Sequence, residues 1–246
     1  MKKSLFFALL FGATFCRAQT TFHNTVKIEF EKTVAMQQLI KDLDMGWFEM
    51  IKDQLPASSK AYFDFIGDTA KSVYKPGREV AANGPRFFMN EITETKNIVY
   101  NDYQTGTTVT QKPIFEETFL VQDSLAKIKW KLTSDTRTVA GFECRKAIGL
   151  LNDSITVFAF YTDEILVSGG PESIHGLPGM ILGVGIPRLH TTWFATKVDM
   201  FDVNMKSVAP ALKGKKVNQA TMIQSLDKVL KEWGTYGGKM ILNFVI

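Results

Sequence analysis

SITVFAFYTDEI, residues 154–165, decides the fold class. β-branched and aromatic side chains fill it, and Asn152-Asp153 just before it supplies a turn. It reads as the strongest strand of the chain, and the same texture continues on both sides. Upstream, HNTVKIEFEK (23–32) alternates, with Val26, Ile28 and Phe30 on one face. From residue 61 come AYFDFIGD, KSVYKP, NIVYNDY, TGTTVTQ, ETFLVQD, KIKWKL and TRTVAGFECRKAIG, each read as a short strand. Turn signals at Gly67-Asp68, Pro76-Gly77, Asn83-Gly84-Pro85 and Thr105-Gly106 separate several of them. Downstream, Met180, Ile181 and Leu182 resume a buried strand, and LHTTWFATKVDMF (189–201) gives another.

Two stretches change period. In 34–54, Met36, Leu39, Ile40, Leu43, Trp47, Met50 and Ile51 recur at helical spacing until Pro56 stops the run. In 221–233, Met222, Leu226, Val229 and Leu230 do the same. The sum is an α+β chain: a long curved antiparallel sheet, a half-barrel or open barrel, with two or three helices on its concave side. Strands in such number must curl or close to protect their edges.

The N-terminus carries a different signal. Lys2 and Lys3 precede an apolar run from Ser4 to Phe15, too short to span a bilayer, and Cys16-Arg17-Ala18 places small residues at a cleavage site before Gln19. Residues 1–18 therefore read as a signal peptide and 19–246 as a single domain. Lipid modification at Cys16 is the rival reading; the bulky Phe15 before it speaks against it. Cleavage removes Lys2, Lys3 and Arg17, so the formal net charge falls from +4 to +1. Nothing remains of the concentrated basic face that nucleic-acid binding needs, and no later apolar run would span a membrane. Hydrophobic residues at 45% suffice for an ordinary core.

Standard catalytic signatures are missing: no phosphate-binding glycine loop, no HExxH, no GxSxG. No cofactor and no metal are expected. His23, His175 and His190 are scattered, though the last two could meet in space. Cleavage leaves Cys144 as the single thiol, in a strand that puts it beside Phe142 and Lys146. It is either a small buried hydrophobe or, with His175 as base, a nucleophile. Asp163 and Glu164 are neighbours and would face opposite ways along a strand.

The richest stretch is GGPESIHGLPGMILGVGIPRL, residues 169–189. Gly169-Gly170-Pro171 turns the chain, glycines there being free to take positive φ. Pro178-Gly179 suits a type II turn. Two readings stay open. One is a structural plug that seals an end of the sheet around Leu177. The other is the rim of a ligand or partner site formed by Gly169, Gly170, Pro171, Glu172, His175, Gly176, Leu177, Pro178 and Gly179, where missing side chains admit a close approach.

GLPGMIL (176–182) resembles the signature of the GLPGLI family of exported Bacteroidetes proteins, the Porphyromonas gingivalis-type family of unknown function. GFECRKA (141–147), AFYTDEI (159–165), SGGPE (168–172) and GIPRLHTTWFATKV (185–198) extend the likeness. Met180 stands where the family name has leucine, a volume-conserving exchange. The resemblance implies a periplasmic or outer-membrane-associated protein, often encoded near TonB-dependent receptors, and leaves the activity undefined. The functional expectation is a non-catalytic envelope binding or accessory protein. Its partner would be a TonB-dependent outer-membrane receptor or an apolar or peptide ligand. The alternative is a hydrolase or thiol enzyme using Cys144 and His175.

Overall fold

The computed structural model describes residues 24–43, 48–79, 96–152 and 154–246. The signal segment 1–18, His23, Trp47, Asp153 and the Asn83-Gly84-Pro85 turn lie outside the described residues.

Among the described residues twelve strands form one sheet. In chain order they are β1 (Thr25–Val34), β2 (Ser59–Asp68), β3 (Lys71–Pro76), β4 (Ile98–Asp102), β5 (Thr107–Ile114), β6 (Glu117–Ser124), β7 (Lys129–Val139), β8 (Phe142–Leu151), β9 (Ile155–Thr162), β10 (Met180–Ile186), β11 (Thr191–Asp199) and β12 (Lys215–Val217). Their spatial order is β12-β6-β5-β4-β3-β2-β1-β11-β10-β9-β8-β7. Two runs of sequential strands, β1 to β6 and β7 to β11, thus meet where β1 pairs with β11. β1 pairs antiparallel with both β2 and β11. The sheet is curved and open rather than a closed barrel, and β12 departs from the antiparallel expectation by running parallel to β6.

Four α-helices appear among the described residues: α1 (Met36–Asp42), α2 (Phe48–Ile51), α3 (Gln219–Lys231) and α4 (Thr235–Val245). The helical stretch expected over 34–54 is present as α1 and α2, with 44–47 between them outside the described residues. α3 starts where Asn218 accepts a hydrogen bond from Thr221 N at 2.8 Å, and it buries Met222, Leu226 and Leu230. α4 has no sequence forecast. Gly237 and Gly238 near its start weaken local helix propensity, and burial of Met240 and Phe244 compensates.

Alternation along the strands separates two faces. On the inner face, Val26, Ile28, Phe30, Phe65, Val157, Ala159 and Val184 are fully buried and join the main core. A second core packs α1, α3 and α4 against Ile114, Phe119 and Val121 of β5 and β6. On the outer face, Val203, Met205 and Val208, from the segment after β11, cover Ile66, Val73, Ile98 and Tyr100 of β2 to β4.

The stretch TRTVAGFECRKAIG is two strands, not one. Ala140 (φ 48°) and Gly141 (φ 88°) make a two-residue reversal between β7 and β8. Both central residues have positive φ, as a twist-compatible hairpin turn requires. The β7–β8 register also shifts between Leu132 and Thr136, opposite Lys146. Cys144 and Ala147 are both fully buried, and Lys146 lies over the Phe158 ring.

Candidate functional site

Between β9 and β10 the chain dips inward. Ile165, Val167, Ile174 and Leu177 of this loop are at most 2% exposed and belong to the main core. Its ends are tied by Met180 N to Ile165 O (3.1 Å) and Ile181 N to Gly169 O (2.9 Å). Ser168 Oγ donates to Leu177 O at 2.7 Å, and Trp130 Nε1 donates to His175 O at 3.0 Å.

The glycines act differently from their sequence reading. Gly169 and Gly170 are absent from the residues with positive φ. They are required by contact: a Cβ on Gly169 would sit 2.7 Å from Phe65 Cζ, and one on Gly170 would sit 2.7 Å from Ile174 O. Positive φ occurs at Gly176 (95°) and Gly179 (132°). Pro178-Gly179 is not a type II turn. Gly179 N donates to Leu177 O at 2.8 Å, a three-residue γ-turn centred on Pro178.

The positive φ at the loop apex belongs to Glu172, at 54°. Ile174 N to Pro171 O (3.2 Å) closes the turn that carries it. A non-glycine residue in this region costs about 1–2 kcal/mol, and a buried carboxylate costs more unless it is partnered. Glu172 is 2% exposed. Its Oε2 accepts from Asn97 Nδ2 at 3.1 Å, and two buried lysines, Lys32 and Lys112, feel its charge.

Both lysines stand on inner-face positions. Lys32 follows Val26, Ile28 and Phe30 in the buried phase of β1 and lies 5.5 Å from the centroid of the Trp193 ring. Burial lowers its pKa, and Glu172 opposes that shift. Lys112 on β5 donates to Ile246 O at 2.6 Å and Phe244 O at 3.1 Å. Burial pulls its pKa down to about 8, again against Glu172 and with repulsion from Lys32. Tyr74 completes the belt. Burial first, and Glu172 second, raise its phenol well above the ordinary value. The Trp193 indole is near enough to bear on that acidity, yet Tyr74 OH and Trp193 Nε1 do not reach hydrogen-bonding geometry, and both atoms are buried without a partner.

Two clefts meet at Glu172. The smaller, about 10 Å³, is lined by Lys32, Glu172, Leu189, Thr191, Trp193, Asn243 and Ile246. The larger, about 60 Å³, runs between β4 to β6 and the start of α3, past Thr108, Thr110, Lys112, Asp123, Gln219 and Met222. Such room takes one water and a few waters respectively, or polar groups of that size.

Of the nine rim residues expected from sequence, Glu172 alone reaches these clefts. Gly169, Gly170, Pro171, Leu177 and Gly179 are buried as loop structure, while Gly176 and Pro178 are exposed. His175 lies on another side of the loop, its ring 6.0 Å from Tyr103. Burial lowers its pKa, with the Ala126 backbone opposing. Cys144 Sγ is hydrogen-bonded to Phe142 O at 3.6 Å, and burial lifts the thiol to about 11. No hydrogen bond joins Cys144 to His175 among the described residues. His190 instead meets Asp42 at 2.7 Å. Among the described residues no group of three or more His, Cys, Asp or Glu is placed to hold a metal, and no helix is long and apolar enough to cross a membrane.

Lys32, Lys112, Asn97, Tyr74 and Trp193 were missed in the sequence. Only Lys32 left a trace there: a charge on the apolar phase of an alternating strand.

Residues 88–226 match the family described as "N-glycanase peptide, N-terminal domain". Two solved structures of PNGF-II share the fold. The one in the P21 space group superposes with a TM-score of 0.52 at 15% identity, covering 86% of this chain and 34% of that one. The one in the C2 space group gives 0.52 at 14%, covering 86% and 33%. The chain thus spans about a third of the length of these structures. No curated protein matches it.

Proposed function

We propose that this chain, which belongs to the family of N-glycanase peptide N-terminal domains, is an exported, non-catalytic binding or accessory domain that works at the cell envelope. One observation carries this reading. The loop spends backbone strain to hold a buried carboxylate, Glu172, where two clefts meet and two lysines face it. Strain of this kind persists where the surroundings over-determine it, and it clusters at ligand sites. A plug would serve with any apolar residue at the apex; a carboxylate among lysines, an amide and an indole serves recognition.

The envelope setting rests on the leader at 1–18 and on the likeness to exported GLPGLI proteins. A TonB-dependent receptor or a peptide is the partner this setting suggests. Sulfur chemistry has less support, because Cys144 lies apart from Glu172 in a buried, weakly acidic state.

The test uses an N-glycosylated peptide and its unglycosylated form. Trp193 fluorescence reports occupancy of the smaller cleft, and mass spectrometry reports products. Binding of either peptide with both recovered intact is the expected result. Released glycan or a cleaved peptide would overturn the non-catalytic reading.

A further inference from the structure

The sheet ends in a long open edge. Among the described residues β7 is last in the strand order and pairs only with β8. Its eleven residues exceed those of any other described strand, and Val139 is its one buried side chain. An edge of this length presents a row of backbone N–H and C=O groups that a further strand can take up. The opposite edge differs: β12 has three residues and runs parallel to β6.

The first part of this edge has two unlike faces. Trp130 and Leu132 pair with Gly149 and Ala147, and Ala147 is fully buried. Trp130 and Ile128 pack against the main core, and the Trp130 indole donates to His175 O at 3.0 Å, so the edge is held in place here. Leu132 continues that apolar row yet is 53% exposed. Lys127, Lys129 and Lys131 alternate with these three and are exposed. The ion pairs of the hairpin lie elsewhere, Arg145 with Asp163 and Lys146 with Asp135, and none joins the three lysines to a described carboxylate. Alternate side chains of an extended strand stand about 7 Å apart on one face. Past Leu132 the register against β8 shifts, and the regular edge ends.

Charge selects the occupant. A second copy of this chain, paired through the same edge, would set lysines against lysines, and like charges facing each other across a strand pair are unfavourable. A strand with carboxylates at every second position answers all three lysines. Apolar residues between them extend the row of Ile128, Trp130 and Leu132.

We propose that the edge from Lys127 to Leu132 takes up an extended segment of a partner protein, in which acidic and apolar residues alternate, as a further strand of the sheet. This interface goes beyond the reading of the clefts at Glu172 and holds whatever fills them.

The experiment is a ¹H–¹⁵N correlation titration of the full chain with three end-capped peptides. One alternates glutamate and valine, one alternates lysine and valine, and one has the composition of the first with its glutamates and valines in two blocks. The first is expected to shift the amides of Lys129 to Leu132 at millimolar concentration and to slow their hydrogen exchange. Lys129→Glu combined with Lys131→Glu should weaken that peptide about tenfold and strengthen the lysine peptide. Both side chains are exposed, so the fold should hold. Should the double variant fail to fold, loss of the wild-type shifts in about 0.5 M sodium chloride decides in its place. Equal binding of the lysine peptide or the block peptide would overturn the proposal, as would shifts confined to other regions or none at all. Shifts of the same amides with protein concentration alone would make a second copy the occupant and overturn it too.

Discussion

Asn97 Nδ2 donates to Glu172 Oε2 across 3.1 Å, joining residues 75 positions apart. Asn97 lies just before β4 in the first run of strands, and Glu172 hangs from the loop that joins β9 and β10 in the second. The bond therefore crosses the hollow of the sheet. It gives the carboxylate a neutral partner that holds its position, while the lysines supply the field. The consequences can be measured.

Gly179→Ala and Gly176→Ala should separate sharply. A Cβ on Gly179 would run into the Thr162 carbonyl oxygen, backbone that cannot step aside, at φ 132°. A Cβ on Gly176, at φ 95°, would meet only Trp130 Nε1 at 3.6 Å. The first variant should lose about 3 kcal/mol or more and the second about 1–2 kcal/mol. Denaturant unfolding of both gives the ranking, and equal losses would contradict the described packing.

Leu177→Ala should cost about 2–5 kcal/mol, because the side chain is 2% exposed within the main core. The measurement is the shift in unfolding midpoint at constant slope. A loss below about 1 kcal/mol would mean that the loop does not seal the core.

Cys144 is fully buried, and its thiol is pushed up to about 11. Labelling by a thiol reagent at pH 7–8 should follow opening of the β7–β8 hairpin and accelerate with denaturant. Rapid labelling of native protein would show that the thiol is accessible.

The inner phase of β1 was open to reading because period-two alternation with Val26, Ile28 and Phe30 is a local property. Lys32 continues that phase, but a lone lysine on a strand reads as the surface until the sheet curves over it. Lys112 had no apolar phase to violate, since Thr108 and Thr110 precede it. Asn97 and Glu172 were beyond reach for another reason: their meeting depends on which strands neighbour which. The apex conformation was hidden by its neighbours. Gly169 and Gly170 advertise positive φ, yet crowding by Phe65 and Ile174 fixes their identity and the strain falls on Glu172. β12 has three residues and a parallel partner nearly a hundred positions away, which leaves no local pattern.

Stability should rise with pH from about 8 to about 10. Burial lowers the Lys112 pKa to about 8 from an ordinary 10.5. Between these values the native lysine has shed its proton while the unfolded one keeps it. The unfolded state then binds more protons, and unfolding free energy increases with pH, by up to about 3 kcal/mol for such a shift. Lys32, lowered by burial as well, acts in the same direction. Above about 10, Tyr74 reverses the trend, because its raised pKa keeps it protonated in the native state while the unfolded phenol ionises. Denaturant unfolding at pH 7.5 and 9.5 should show the gain, and Lys112→Met should reduce it. Parallel pH profiles for the two proteins would show that Lys112 is not the group responsible.

A double-mutant cycle on Glu172 and Lys112 tests the charge cluster itself. Glu172→Gln keeps the shape and the amide-compatible contact to Asn97 but removes the charge that faces both lysines. Leaving a buried lysine without its opposing carboxylate should cost about 2–4 kcal/mol at pH 7. Lys112→Met removes one of those lysines and keeps most of its length. If Glu172 acts through the lysines, the neutralised pair should be more stable than the sum of the single changes predicts, with a coupling of about 1–3 kcal/mol. Residues without a shared interaction add to within about 0.3–0.5 kcal/mol. Additivity at that level would place Glu172 outside the field of Lys112. The strain at φ 54° would then serve the turn alone, and the apex would be a plug with an incidental carboxylate.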